Sequence, residues 1–181
     1  MAIGFFQGHP CPVALTSTIT TYDPFWPDAY AAAMRQLAPI FSASLAEMHH
    51  VGSTAVPMLA AKPEIDILTI VRTAEVSDEW HDRLAALGFR RGSDLSPGHA
   101  FFKRDVEGVR THKVHICVAD HPSIIEMLGF RDRLRASEKD RIAYEALKRQ
   151  LEQENEGGIA EYLARKRPFI TAVLKEIGID R

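Results

Sequence analysis

The chain has 181 residues, enough for one sizeable core and short for two, so a single domain over 1–181 is expected. Hydrophobic residues make up 46% and charged residues 25%, a globular balance that excludes a disordered or fibrous chain. A formal net charge of -2 provides no general positive field for nucleic acid and favours a small-molecule partner.

In chain order, Val13 to Thr21 is rich in β-branched residues and reads as a strand that YDPFWP then stops. Pro27 suits a first helical position. The stripe Met34, Leu37 and Phe41 predicts a helix that Pro39 bends or ends. Leu45 to Val51 reads as the second strand and Ile65 to Val71 as the third, apolar enough to be buried on both faces. Ser77 caps a helix to Leu87 that Gly88 closes. Phe89 to Ser93, Ala100 to Val106 and Lys113 to Ala119 read as three more strands, with turns at DLSPG and DVEGVR.

From Pro122 the pattern is helical: PSIIEMLGFRDRLRA, then SEKDRIAYEALKRQLEQEN from a Ser137 cap, then IAEYLARKRPFITAVLKEIG with a kink expected at Pro168. Strands first and helices last predict an α+β fold, with a sheet-containing part at about 13–120 and a helical part at about 121–181. Cys11 and Cys117 form no CxxC and no recognisable zinc spacing, which suits a reducing compartment. The start lacks a basic leader and no stretch approaches membrane-spanning length, so a cytoplasmic location is expected.

The chemistry concentrates in HHVGSTAVPMLAAKPEIDILTI, residues 49–70. Glu64 and Asp66, two apart on a strand, project to the same side. Two adjacent carboxylates repel unless a cation, a basic side chain or open solvent lies between them, and oxygen ligands of this kind suit Mg²⁺ or Mn²⁺. Gly52 permits a sharp turn, and Ser53 and Thr54 can open a short helix whose N–H groups favour phosphate. The competing reading of Asp66 is a structural ion pair with Lys62 or a nearby arginine. His112 and His115 fall on opposite strand faces, whereas Lys113, His115 and Cys117 share one. If Asp66 lies on that face, His115 is a ligand or proton carrier; otherwise it is a hydrogen-bonded histidine in a half-buried sheet. Lys62, Arg104, Lys113, Arg131 and Arg133 are the phosphate-binding candidates.

The order strand, Gly-Ser, short helix, carboxylate, apolar residue, carboxylate resembles the nucleotidyltransferase superfamily of DNA polymerase beta type. The longer series YDPFW, HVGSTAVPMLAAKPEIDI, HKVHICV, FRDRLRASEKDRIAYEALKRQL and EYLARKRPF resembles the GrpB-like family, a nucleotidyltransferase-fold group sometimes fused to dephospho-CoA kinase. The resemblance implies a nucleotidyltransferase-like mixed β-sheet with packed helices. It places His50, Gly52, Ser53, Thr54, Pro57, Lys62 and Asp66 in a central motif and His115 in a second. Phe130, Arg131, Leu134, Tyr144, Lys148, Tyr162 and Lys166 fall in its helical part.

Where many nucleotidyltransferases carry a third carboxylate, this chain offers His115, which shifts metal preference away from Mg²⁺. Glu64 stands where the family commonly has an apolar residue, and Met58 where it commonly has glycine. The first expectation is a metal-dependent nucleotidyltransferase. Asp66, Glu64 and His115 would hold Mg²⁺ or Mn²⁺, and Gly52, Ser53, Thr54, Lys62 and Arg131 would hold a nucleoside triphosphate whose nucleotidyl group passes to a small-molecule acceptor. The alternatives are a catalytically silent nucleotide- or ligand-binding module and a metal-dependent hydrolase using the same Asp, Glu and His.

Overall fold

The computed structural model describes residues 14–72, 77–93 and 95–180, apart from the side chain of Asp78. Helix α1 spans Trp26–Phe41 and a single 3₁₀ turn, Ser42–Ser44, leads into β1, Leu45–Val51. A second 3₁₀ turn, Ser53–Ala55, precedes β2, Ile65–Val71. Then follow α2 at Asp78–Ala86, β3 at Phe89–Arg91, β4 at His99–Val106 and β5 at Val109–Val118. Helices α3 at Pro122–Ala136, α4 at Glu138–Gln153 and α5 at Gly158–Glu176 close the chain. The sheet order is β1-β2-β5-β4-β3. β2 and β5 run parallel, and every other pair is antiparallel. This is the expected α+β fold, a mixed sheet with packed helices and a helical C-terminal part.

Alternation along β2 divides the core. Ile65, Ile67 and Val71 pack with Val114 and Ile116 of β5 against Leu37, Phe41, Trp80 and Leu84 from α1 and α2. Leu68 and Ile70, on the other face, pack with Val51 and Cys117 against Ile124, Met127 and Leu128 of α3. A third cluster, Val56, Leu59, Leu134 and Tyr144, with Phe130 and Phe169 against it, clamps the segment after Gly52 between the C-terminal helices. Both faces of β2 are therefore covered, as its apolar run predicts.

Local signals set most boundaries. The Ser77 and Ser137 side chains accept hydrogen bonds from Glu79 N and Asp140 N at the starts of α2 and α4. Glu107 and Gly108, at φ 51° and 80°, form a two-residue hairpin turn, which is why β5 begins at Val109 and not at Lys113. α1 continues past Pro39 to Phe41 and α5 past Pro168 to Glu176, so neither proline ends its helix.

The first expected strand does not form among residues 14–21. Val13 lies outside the described residues. Thr20 makes a single two-way bridge with Ala61, each N–H donating to the other's carbonyl at 2.9 Å. Upstream, Ile19 N donates to the Glu152 carboxylate at 3.0 Å and the Ser17 hydroxyl donates to Glu64 at 2.9 Å. Side chains of other elements thus replace a ladder partner, and the segment lies as a strap over the polar end of β2.

Met58 has φ 64° and is 74% exposed, so an L side chain is held in the left-handed region where the GrpB-like pattern commonly has glycine. Replacing Met58 by glycine should raise stability by about 0.5 kcal/mol, the relief of that strain less the added entropy of the unfolded chain. The urea midpoint measures it.

Candidate functional site

β1 ends at Val51, and the chain must turn beside Asp66, the register partner of Val51 on β2. Gly52 makes that turn at φ 72°. A Cβ there would lie 2.4 Å from Asp66 Oδ2, so the position demands glycine both for its dihedral and for its proximity to the carboxylate. Behind the turn the Thr54 hydroxyl donates to the Glu64 carbonyl at 3.0 Å. His50 Nε2 lies 3.0 Å from the same hydroxyl, so that nitrogen carries the proton and donates it. His50 also stacks on Tyr30, with ring centroids 4.9 Å apart. Burial, reinforced by Arg135 and Arg131, pushes its pKa down to about 4 and keeps it neutral.

Arg131 donates to the His50 carbonyl at 3.0 Å and to both oxygens of Asp132. Arg135 donates to the Ala55 carbonyl at 2.8 Å. These two arginines, with Tyr22, Tyr30 and Pro57, line a cleft of about 380 Å³ along the turn. Thr54 and Arg131 therefore fix the loop that leads to β2, while Gly52 and Ser53 form its bend.

Glu64 and Asp66 do meet a cation, and it is part of the chain. In the parallel β2–β5 register Asp66 pairs with Lys113 and Leu68 with His115. Lys113 Nζ lies 2.5 Å from Glu64 Oε2 and 3.5 Å from Asp66 Oδ1. Burial works against the ammonium, but Asp66 and Glu64 outweigh it and hold the Lys113 pKa above the usual lysine value. For Glu64, burial is overcome by Lys113, Ser17 and Lys62, and the carboxyl falls below its ordinary range. Asp66 goes the other way: burial and the neighbouring Glu64 raise it against the pull of Lys113.

His115 lies on the Asp66 face but pairs with Leu68, two residues further along, and its Nδ1 is 3.0 Å from Nε2 of His99. Among the described residues, the three groups that bring metal-ligating atoms within 4.8 Å of one another are His99, Cys117 and His121, not Glu64, Asp66 and His115. The expected convergence on His115 fails because the residue directly against Asp66 is a lysine. The competing reading of Asp66 as a structural ion pair finds its partner in Lys113 and not in Lys62 or an arginine. With the Lys113 ammonium already on both carboxylates and, among the described residues, no third metal-ligating atom grouped with them, this donor set does not fit a divalent ion.

Lys62 contributes differently. Its Nζ is buried and makes no hydrogen bond, with Glu152 Oε1 3.7 Å away and the Tyr162 ring centroid 4.7 Å away. Burial lowers its pKa, with Glu152 and Glu64 opposing. Lys166 Nζ stands 4.9 Å from the same ring and repels Lys62. Helix α4 fixes this arrangement by clasping the preceding backbone: Lys148 donates to the Ala60 carbonyl at 2.6 Å and Ala60 N donates to Glu145 at 3.1 Å. Lys113, expected as a phosphate-binding candidate on the His115 face, instead meets the acid pair, and Lys166 comes from the expected helical part. Ser17 completes the site, and nothing local in the sequence marks it.

The family model described as GrpB protein matches residues 16–176. The chain belongs to the GrpB family. Among curated relatives it is 32% identical over 153 residues to UPF0157 protein YqkA of Bacillus subtilis, covering 84% of this chain and 44% of that protein. It is 32% identical over 170 residues to UPF0157 protein SCO7215 of Streptomyces coelicolor, covering 94% and 89%. The chain thus spans less than half of YqkA but most of SCO7215. The crystal structure of conserved protein GrpB from Enterococcus faecalis superposes with a TM-score of 0.79 at 31% identity, over 89% of this chain and 99% of that one. Among the described residues no helix is long and apolar enough to cross a membrane.

Proposed function

We propose that this GrpB-family chain binds a phosphorylated small molecule of the nucleoside triphosphate class, and that Lys113 rather than a divalent ion neutralises Glu64 and Asp66. The observation that carries this reading is the filling of the acid pair by Lys113, which leaves Lys62 as a buried ammonium without a hydrogen bond. A phosphate would supply the missing acceptors, and Lys166 would share its charge. The Gly52–Ser53 bend, held from behind by Thr54 and from α3 by Arg131, would face the same ligand. Entry requires the strap to lift Ser17 from Glu64 and Ile19 from Glu152. The test is calorimetric titration with ATP and inorganic triphosphate in the presence of a chelator. Lys62→Met should weaken both about tenfold, a difference of ~1.4 kcal/mol. Parent-like affinity in that variant, or no binding by the parent, would overturn the reading.

Metal-dependent nucleotidyl transfer to a small-molecule acceptor is the second reading. It is favoured by the shared face of Glu64 and Asp66 beside the Gly52 turn. It requires Lys113 to leave both carboxylates before Mg²⁺ or Mn²⁺ can take its place, so it demands a divalent ion for nucleotide binding.

A further inference from the structure

At the C-terminal end of β5, three soft and borderline donors meet at the junction of β4, β5 and α3. We propose that His99, Cys117 and His121 form a site for a thiophilic divalent ion of the zinc class, with water in the remaining position. His99 and Cys117 are direct register partners across β4 and β5, and His121 caps the first turn of α3. Their ligand atoms already lie within 4.8 Å of one another, with His99 and Cys117 buried and His121 half-buried on the solvent side. Ligand atoms on one tetrahedral zinc ion lie roughly 3.4 Å apart, so closing the site takes movement of about an ångström. One thiolate with two imidazoles selects zinc-like ions over Mg²⁺ or Ca²⁺.

The neighbours support the assignment. Gly98, at φ 79°, passes so close that a Cβ would lie 2.9 Å from Val118 and 3.5 Å from the His121 ring, so glycine leaves the space that this ring borders. Each imidazole keeps an outer partner that would orient it as a ligand: His115 Nδ1 is 3.0 Å from His99 Nε2, and Ser96 Oγ is 3.0 Å from His121 Nε2. Ser123 meets both remaining nitrogens, with Oγ 3.2 Å from His99 Nδ1 and N–H donating to His121 Nδ1 at 3.1 Å. A metal ion would replace that one residue at both rings. The Cys117 thiol binds by losing its proton to solvent as the sulfur–metal bond forms, so one proton leaves per ion bound.

Titration of the full chain with Co²⁺ tests this, because a cobalt–thiolate bond gives a charge-transfer absorption. The parent should take up one equivalent with that band, and Zn²⁺ should displace it. Cys117→Ser should abolish the band, whereas Cys11→Ser should retain it. His121→Asn preserves a side-chain acceptor for the Ser123 N–H, so it should keep the melting temperature of the metal-free parent while weakening Co²⁺ binding at least tenfold. Absence of the band in the parent, its survival in Cys117→Ser, or parent-like Co²⁺ affinity in His121→Asn would overturn the proposal.

Discussion

Lys113→Met should destabilise the protein by about 3 kcal/mol or more at neutral pH, because removing one partner of a buried ion pair leaves the other charges uncompensated. Here two carboxylates lose their shared ammonium, and Glu64 at 2.5 Å loses more than Asp66 at 3.5 Å. The pH dependence follows from the directions of the shifts. In the parent, Glu64 is held below its ordinary value, so its contribution is present above the ordinary glutamate pKa and is lost as pH falls through the folded value. Without Lys113 both carboxyls rise, their neutral forms become accessible earlier, and the gap between variant and parent should narrow on acidification. Divalent ions should stabilise the variant more than the parent, since only the variant presents two carboxylates without a cation. Urea denaturation at several pH values, with and without Mg²⁺, measures all three effects. A loss below about 1 kcal/mol would mean that Lys113 is an ordinary solvated surface partner.

Gly52→Ala should cost about 3 kcal/mol, the sum of left-handed backbone strain and an overpacked contact. The methyl group would arrive 2.4 Å from Asp66 Oδ2 at a residue whose φ is 72°. Since one component comes from the carboxyl group, Asp66→Ala in the same chain should recover part of the loss, and the two substitutions should be less than additive, although the Asp66 Cβ, 2.9 Å away, remains. Chemical denaturation of the two single variants and the double variant separates the components. Full additivity would show that the carboxyl group is not what excludes a side chain at Gly52.

Elements written in short-range signals were legible in the sequence. β1 and β2 carry alternating or continuous apolar runs, and α3 begins at a His-Pro step and ends before a serine cap, so their ends could be read closely. Val13 to Thr21 misled because β-branched composition reports a preference for extended backbone but not whether a strand partner exists; Glu64, Glu152 and Ala61 bind this segment instead. The acid pair and the Gly-Ser bend were visible as a pattern. Lys113 was visible as a basic residue on the His115 face, but its place between the two acids was not, because the β2–β5 register is set by the long crossover through α2, β3 and β4, and one residue of slip exchanges Lys113 for a residue of the other face. Cys117 and His121 lie four residues apart at the β5–α3 junction, but His99 comes from β4, and only the β4–β5 register brings it to them.

Lys113 sits on Glu64 and Asp66 where a divalent ion would otherwise bind. Isothermal titration of the parent with ATP, first in chelator and then in Mg²⁺, tests it most directly. Binding already present in chelator and altered no more than a few-fold by Mg²⁺ is the predicted result. Binding absent in chelator that appears on adding Mg²⁺ would contradict it and establish that Lys113 yields its position to the metal.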